Sequence, residues 1–172
     1  QAMNVLCALG LTAELSGEPF EAVKHIEKIR GAKGRLELVG SKNGAAIYVD
    51  YAHTPDAIEN VLKAMRSHTT GKLKILFGCG GDRDKGKRPQ MGKIANDLAD
   101  VVYITDDNPR SEEPDVIRNE IMVACPKGIN IGNRAEAIKN AIQNLEDGDV
   151  LIIAGKGHEP GQIIKGVMQP FN

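Results

Sequence analysis

The strongest constraint on this chain is a rhythm that begins near residue 46. Apolar, β-branched runs at 46–51, 73–78, 100–105 and 149–154 alternate with amphipathic stretches at 55–67, 89–99, 114–124 and 134–145. A run that is apolar at nearly every position suits a strand buried on both faces, which is the habit of parallel sheets. Strands of that kind, separated by helices, specify βαβ units. The expected fold class is therefore α/β: a Rossmann-like, mostly parallel sheet with helices on both faces. Residues 129–131 read as one further short strand. In the helix at 55–67, Ile58, Val61, Leu62 and Met65 fall on one face and should point inward.

The first part of the chain reads differently. Residues 2–16 are apolar on most sides and helical, and Gly17 ends the run. Phe20 to Ile29 reads as a second helix, with Phe20, Val23, Ile26 and Ile29 on one face. Gly31, Lys33, Gly34 and Arg35 make a glycine-punctuated link, Leu36–Val39 alternates like a short strand, and Asn43-Gly44 is a strong hairpin signal. A domain boundary is expected near residues 31–40. Gln1 has no cap before it, and Gln169 to Asn172 stop without a closing element, so the chain reads as a fragment of something longer.

Composition excludes several functions. A net charge of −1 and an aromatic content of 3% leave neither the cationic surface nor the stacking platforms that nucleic-acid binding needs. No apolar run approaches the roughly 20 residues of a membrane span, and no signal peptide is visible. Cys7, Cys79 and Cys125 show no paired spacing, which points to a reducing, cytoplasmic setting. His25, His53, His68 and His158 lack metal-ligand spacing, so no metal site is expected.

The chemistry gathers where the strands end. Val101 to Thr105 runs apolar and then breaks into Asp106-Asp107-Asn108-Pro109-Arg110. Pro109 stiffens that turn and restricts Asn108, and Arg110 offers a planar fork of donors suited to a carboxylate or phosphate. Three other strand ends carry comparable turns: Asp50 to Pro55, Gly78 to Pro89, and Gly155-Lys156-Gly157-His158-Glu159. Parallel strands point the same way, so all four turns should share one edge of the sheet, where ligands of such folds bind.

Two motifs in the second turn mislead. Gly81-x-x-x-x-Gly86-Lys87 resembles a P-loop, yet Arg88 stands where a magnesium-binding serine or threonine belongs. Gly78-x-Gly80-x-x-Arg83 resembles a dinucleotide fingerprint with arginine in place of the third glycine. What remains is a cationic loop of Arg83, Lys85, Lys87 and Arg88 that suits an anionic ligand. Asp50 and His53 could serve a ribose hydroxyl and a phosphate, while Thr54 is placed to cap the helix that Pro55 opens. Lys156 and Glu159 read either as an internal ion pair or, through Glu159, as an acceptor for an ammonium. Cys79 has no His–acid pair in sequence and is not assigned as a nucleophile.

Taken together, Tyr48 to Pro55, Gly78 to Pro89, Asp107 to Arg110 and Gly155 to Glu159 resemble, in order, the motifs of the Mur ligases. These are ATP-dependent amide ligases of peptidoglycan precursor synthesis. The likeness is to the branch that adds meso-diaminopimelate to UDP-MurNAc-L-Ala-D-Glu. It implies that Arg83, Asp107, Asn108, Pro109, Arg110, Gly155 and Glu159 hold diaminopimelate, and that Arg35, Asp50 and His53 face the nucleotide. It implies no catalytic residue here. ATP and Mg2+ would be bound mainly by upstream domains of the same protein, which carry the P-loop and the magnesium ligands. By the same likeness, residues 1–34 resemble the last helices of the central ATP-binding domain, and 35–172 the amino-acid-binding domain lacking a final helix. Asn4 resembles the second asparagine of the family's Asn-x-x-Asn-x-Leu helix, with Gln1 where the first belongs. Two readings from the residues alone stay open beside it: a nucleotide- or NAD-binding module, and a non-catalytic binding module for a small acidic metabolite.

Overall fold

The computed structural model describes residues 2–17, 21–28 and 31–170, leaving aside the side chains of residues 2–4 and 22. Gln1, Phe20, Ile29 and the side chain of Asn4 lie outside that description. The chain divides into two compact units, Gln1–Gly31 and Ala32–Asn172.

The first unit holds α1 (Ala2–Ser16) and a 3-10 helix (Ala22–Lys28). Gly17 ends α1 with a left-handed φ of 67°. The second element was expected as an α-helix with Val23 and Ile26 on one face. It is a 3-10 helix instead, and Val23 and Ile26 are exposed.

In the second unit, β1 (Glu37–Lys42) and β2 (Ala45–Val49) form an antiparallel hairpin. Asn43 and Gly44 both take positive φ, 52° and 80°, as a two-residue hairpin turn requires. The chain then runs through α2 (Pro55–Arg66), β3 (Leu73–Phe77), α3 (Lys87–Leu98), β4 (Val101–Ile104), α4 (Pro114–Met122), β5 (Ile129–Asn130), α5 (Arg134–Gln143) and β6 (Val150–Ile153). The strand order is β1-β2-β6-β3-β4-β5, parallel except at β1. Insertion of β6 between β2 and β3 puts the four strands that end in polar turns side by side.

Each face of the sheet has its own core. Ile58, Leu62 and Met65 of α2 pack with Met91, Ala95, Ile117 and Ile121 of α3 and α4 over Ile75, Phe77, Val102, Ile104 and Ile152. On the other face Ala137 and Ala141 of α5 meet Leu76, Tyr103 and Leu151. Every residue of β3 is buried, and each large apolar side chain there is worth about 1.5–3 kcal/mol. The inward face of α2 is the expected set Ile58, Val61, Leu62 and Met65, and Thr54 caps the helix by accepting from the Ala57 N–H at 3.3 Å.

One element was not expected from the sequence. Residues 161–170 form an antiparallel hairpin, β7 (Gly161–Ile164) and β8 (Val167–Pro170). Its Lys165 and Gly166 turn has positive φ at both positions, 48° and 78°.

Candidate functional site

The ends of β2, β6, β3 and β4 open onto one hollow of about 450 Å³. Tyr51, His53 and Thr54 line it from the first turn; Gly78, Cys79, Gly80, Arg83, Asp84 and Lys87 from the second. Asp107, Asn108 and Arg110 line it from the third turn, Gly155 and Glu159 from the fourth. The structure thus brings Arg83, Arg110 and Glu159 around a shared space. Pro109, Arg35 and Asp50 do not line it.

The third turn is held in an uncommon shape. Asn108 and Arg110 both lie in the left-handed region, φ 43° and 53°. Asparagine adopts it readily, whereas arginine does so only under constraint, at a cost on the order of 1–3 kcal/mol. The constraint is the β7–β8 hairpin. The Arg110 N–H donates to the Ile163 carbonyl at 3.2 Å, and the Lys165 N–H donates to the Arg110 carbonyl at 2.9 Å. The Arg110 guanidinium is steadied from one side, Nη1 donating to the carbonyls of Gly81 at 2.8 Å and Asn108 at 3.3 Å.

The second turn lies flat against the third. The Gly81 N–H donates to the Asn108 carbonyl at 3.0 Å, and a Cβ on Gly81 would stand 1.9 Å from the Pro109 carbonyl oxygen. This close approach is what Gly81 supplies. The cationic loop expected here is smaller than its sequence suggests. Arg88 is fully buried, bonded to Glu112, Glu120 and the Gly80 carbonyl, and Lys85 pairs with Glu112 at 3.2 Å. Arg83 and Lys87 remain at the hollow, and Lys87 Nζ donates to the His53 carbonyl at 3.0 Å. Glu112 lies just before α4, whose cap residue is Glu113. Its carboxyl is pulled down to about 2 by the Arg88 guanidinium and then by the Asp82 N–H.

The fourth turn supplies a buried ammonium. Lys156 Nζ lies 2.8 Å from Asn108 Oδ1, 2.8 Å from the Gly161 carbonyl, 3.3 Å from Asp107 Oδ1 and 3.4 Å from Glu159 Oε2. Asn108 Nδ2 donates to Glu159 Oε2 at 3.1 Å. The internal ion pair between Lys156 and Glu159 is therefore present. Glu159 also borders a smaller hollow of about 340 Å³ between the ends of β2 and β6 and helix α5.

At the first turn the Asp50 carboxylate is taken up by the chain itself, accepting from the N–H groups of Leu36 and Ala52, each at 2.7 Å. Arg35 stacks over the Tyr51 ring at 4.4 Å, and His53 and His158 flank the same ring. Arg35 and His53 are thus gathered around Tyr51, a residue not singled out as a site candidate from sequence, while the Asp50 side chain is bound to the backbone. The Cys79 thiol, which lines the hollow, is pushed up to about 12 by burial, so it is held protonated. Among the described residues no group of three or more His, Cys, Asp or Glu is placed to hold a metal ion, and no helix is long and apolar enough to cross a membrane.

Comparison with known proteins gives these features a context. The family described as "Mur ligase, glutamate ligase domain" matches residues 34–157. The chain is similar to two proteins named UDP-N-acetylmuramoyl-L-alanyl-D-glutamate--2,6-diaminopimelate ligase. It is 56% identical to that of Agrobacterium fabrum, over 100% of this chain and 35% of the relative, and 57% identical to that of Rhizobium meliloti, over 100% and 36%. The chain thus spans about a third of the length of these curated relatives. A solved structure of a ligase of the same name superposes with a TM-score of 0.77 at 41% identity, covering 97% of this chain and 35% of that one.

Proposed function

From the premise that this chain belongs to the Mur ligase family, we propose that it forms the amino-acid-binding part of an ATP-dependent ligase. That ligase adds meso-diaminopimelate to UDP-MurNAc-L-Ala-D-Glu in the cytoplasm. The observation that carries the reading is the meeting of Arg83, Arg110, Asn108 and Glu159 around one hollow.

Diaminopimelate has two amino-acid ends. One amine must react while the other end is held. The distal carboxylate fits between Arg83 and the free edge of the Arg110 guanidinium, whose Nη1 is already committed to backbone carbonyls. Each charge-assisted hydrogen bond formed there is worth about 1.5–3 kcal/mol. Glu159 receives the distal ammonium. Its contacts with Asn108 and Lys156 both fall on Oε2, which leaves Oε1 for the ligand. Lysine has no second carboxylate, so with lysine bound the arginine pair would lack its partner, and that mismatch rejects it.

In this reading ATP, with Mg2+, supplies the phosphoryl group that activates the D-glutamyl carboxylate of the precursor as an acyl phosphate. Both are held mainly by domains outside this chain. The chain's own contribution is to hold the amine donor and orient its nucleophilic nitrogen. Arg35 and His53, around Tyr51, form with Asp50 one wall towards the nucleotide.

The test is the Arg110→Ala change in a complete ligase carrying this sequence, assayed with diaminopimelate and with lysine. The expected result is a fall in kcat/KM for diaminopimelate of about ten- to hundredfold, the loss of one charge-assisted contact, with little change for lysine. Equal losses for both amino acids, or a wild-type preference for lysine, would overturn the reading.

A further inference from the structure

We propose that Lys156 is a positioning residue: it fixes the rotation of the Asn108 side-chain amide and thereby makes the hollow select a ligand with a second carboxylate. The inference deepens the function proposed above and rests on that reading. It starts from a constraint on one torsion. Asn108 Oδ1 is approached by two groups that can only donate, the Lys156 ammonium at 2.8 Å and the Ile163 backbone N–H at 2.9 Å. The other side of the amide faces Glu159 Oε2, which when ionised can only accept, at 3.1 Å. Turned by half a rotation, the amide would set its NH2 against two donors and its oxygen against a carboxylate. Only one orientation is therefore compatible with its neighbours.

That orientation has a chemical consequence. Nδ2 carries two hydrogens, and Glu159 accepts one. The second belongs to the hollow that Asn108 lines, beside Arg110, where it can meet a carboxylate. Lys156 does not line that hollow and is only 4% exposed. Its ammonium is spent on Asn108, the Gly161 carbonyl, Asp107 and Glu159. It therefore acts on a ligand through the lining residues it holds, most closely Asn108 at 2.8 Å, rather than by touching it. Asp107 lies on the same ammonium, so Lys156 also gathers the third and fourth turns onto one charge.

The experiment is a double-mutant cycle in a complete ligase carrying this sequence, with Lys156→Met, Asn108→Ala and the pair, each assayed with diaminopimelate, lysine and ATP as varied substrates. Lys156→Met is expected to raise KM for diaminopimelate about ten- to hundredfold, the size of one hydrogen bond to a charged group. KM for ATP should move far less, and the preference for diaminopimelate over lysine should shrink. In the Asn108→Ala background the Lys156 change should add less than about twofold, because it acts through the missing amide. Fully additive effects, or equal losses for all three substrates, would show Lys156 to be merely structural and overturn the proposal. Should Lys156→Met fail to fold, Lys156→Gln carries the test: its shorter, neutral amide keeps a polar side chain at the position while loosening the hold on Asn108 Oδ1. Loss of the diaminopimelate preference in that variant supports the proposal, and its retention overturns it. A wild-type enzyme with no such preference would instead bring down the functional reading itself, which separates the two failures.

Discussion

The Arg88 guanidinium clasps the Glu112 carboxylate with two parallel hydrogen bonds, Nη2 to Oε1 at 2.9 Å and Nη1 to Oε2 at 3.0 Å. The same guanidinium reaches Glu120 at 2.7 Å and the Gly80 carbonyl at 3.2 Å. It thus ties the glycine turn after β3 to the segment that follows Arg110 and to helix α4. Arg88 does not itself line the hollow, yet the two turns that carry Arg83 and Arg110 are stapled together through it.

Removing this clasp should unfold the chain more easily. Arg88→Met leaves the Glu112 carboxylate without its main partner, and breaking a buried pair from one side costs about 3–5 kcal/mol. Urea unfolding of the chain should show a lower midpoint at unchanged slope. The pair Arg88→Met with Glu112→Gln should recover part of the loss. A change within 0.5 kcal/mol, the usual range for surface substitutions, would show that the clasp contributes nothing to stability.

The same pair sets an acid dependence. Glu112 has its folded-state carboxyl lowered from 4.5 to about 2, first by Arg88 and next by the Asp82 N–H. A depressed carboxyl stabilises the fold above its unfolded value and loses that contribution as pH falls towards the folded value. Stability should therefore decline as pH is lowered from 4.5 towards 2, and the Glu112→Gln variant should show a shallower decline across that window. Urea midpoints taken at a series of acidic pH values would decide it, and identical slopes would refute the assignment.

Gly81→Ala should separate the two turns. Its Cβ would sit 1.9 Å from the Pro109 carbonyl oxygen, a backbone atom that cannot swing aside. The expected outcome is weaker diaminopimelate binding by calorimetry together with a drop in melting temperature. Gly40→Ala is the control, since a Cβ there meets nothing within 4 Å. Equal behaviour of the two variants would mean that the turns are free to part.

Thiol reactivity should split unevenly. Cys7 is exposed, whereas Cys79 and Cys125 are buried, and burial raises both buried thiols, Cys79 to about 12. In native buffer, a disulfide reagent should titrate Cys7 fast and the other two only after denaturation. Rapid labelling of Cys79 would show that the hollow opens more widely than its geometry indicates.

Much of this architecture could be read locally. The alternation of apolar runs and amphipathic stretches placed β2, β3, β4 and β6, because burial on two faces leaves a continuous apolar signature, whereas the exposed, two-residue β5 was read only as a short strand. The inward face of α2 and the cap at Thr54 followed from spacing alone. The 3-10 helix was misread because a few apolar residues at helical spacing do not distinguish it from an α-helix. The β7–β8 hairpin went unread, although two-residue Lys165-Gly166 between Ile163-Ile164 and Val167-Met168 is a turn signal. Lysine is an unusual occupant of a positive-φ position, which hid it.

Within the site, the sequence by itself determined which turns carry chemistry: Asn-Pro-Arg, the glycine loop and Gly-Lys-Gly-His-Glu are local and legible. Only the tertiary structure decided which of their charges are spent. Arg88 reads in the chain as one more cation of a basic loop, and its acidic partners at 112 and 120 reach it only because α3 and α4 pack side by side. Lys156 reads as half of a short-range ion pair, and only the return of the chain along β6 brings it to Asn108. Periodicity reports which side of an element meets water, an average over near neighbours. The pairing of a buried charge depends on the approach of remote segments in space, and no local pattern encodes that.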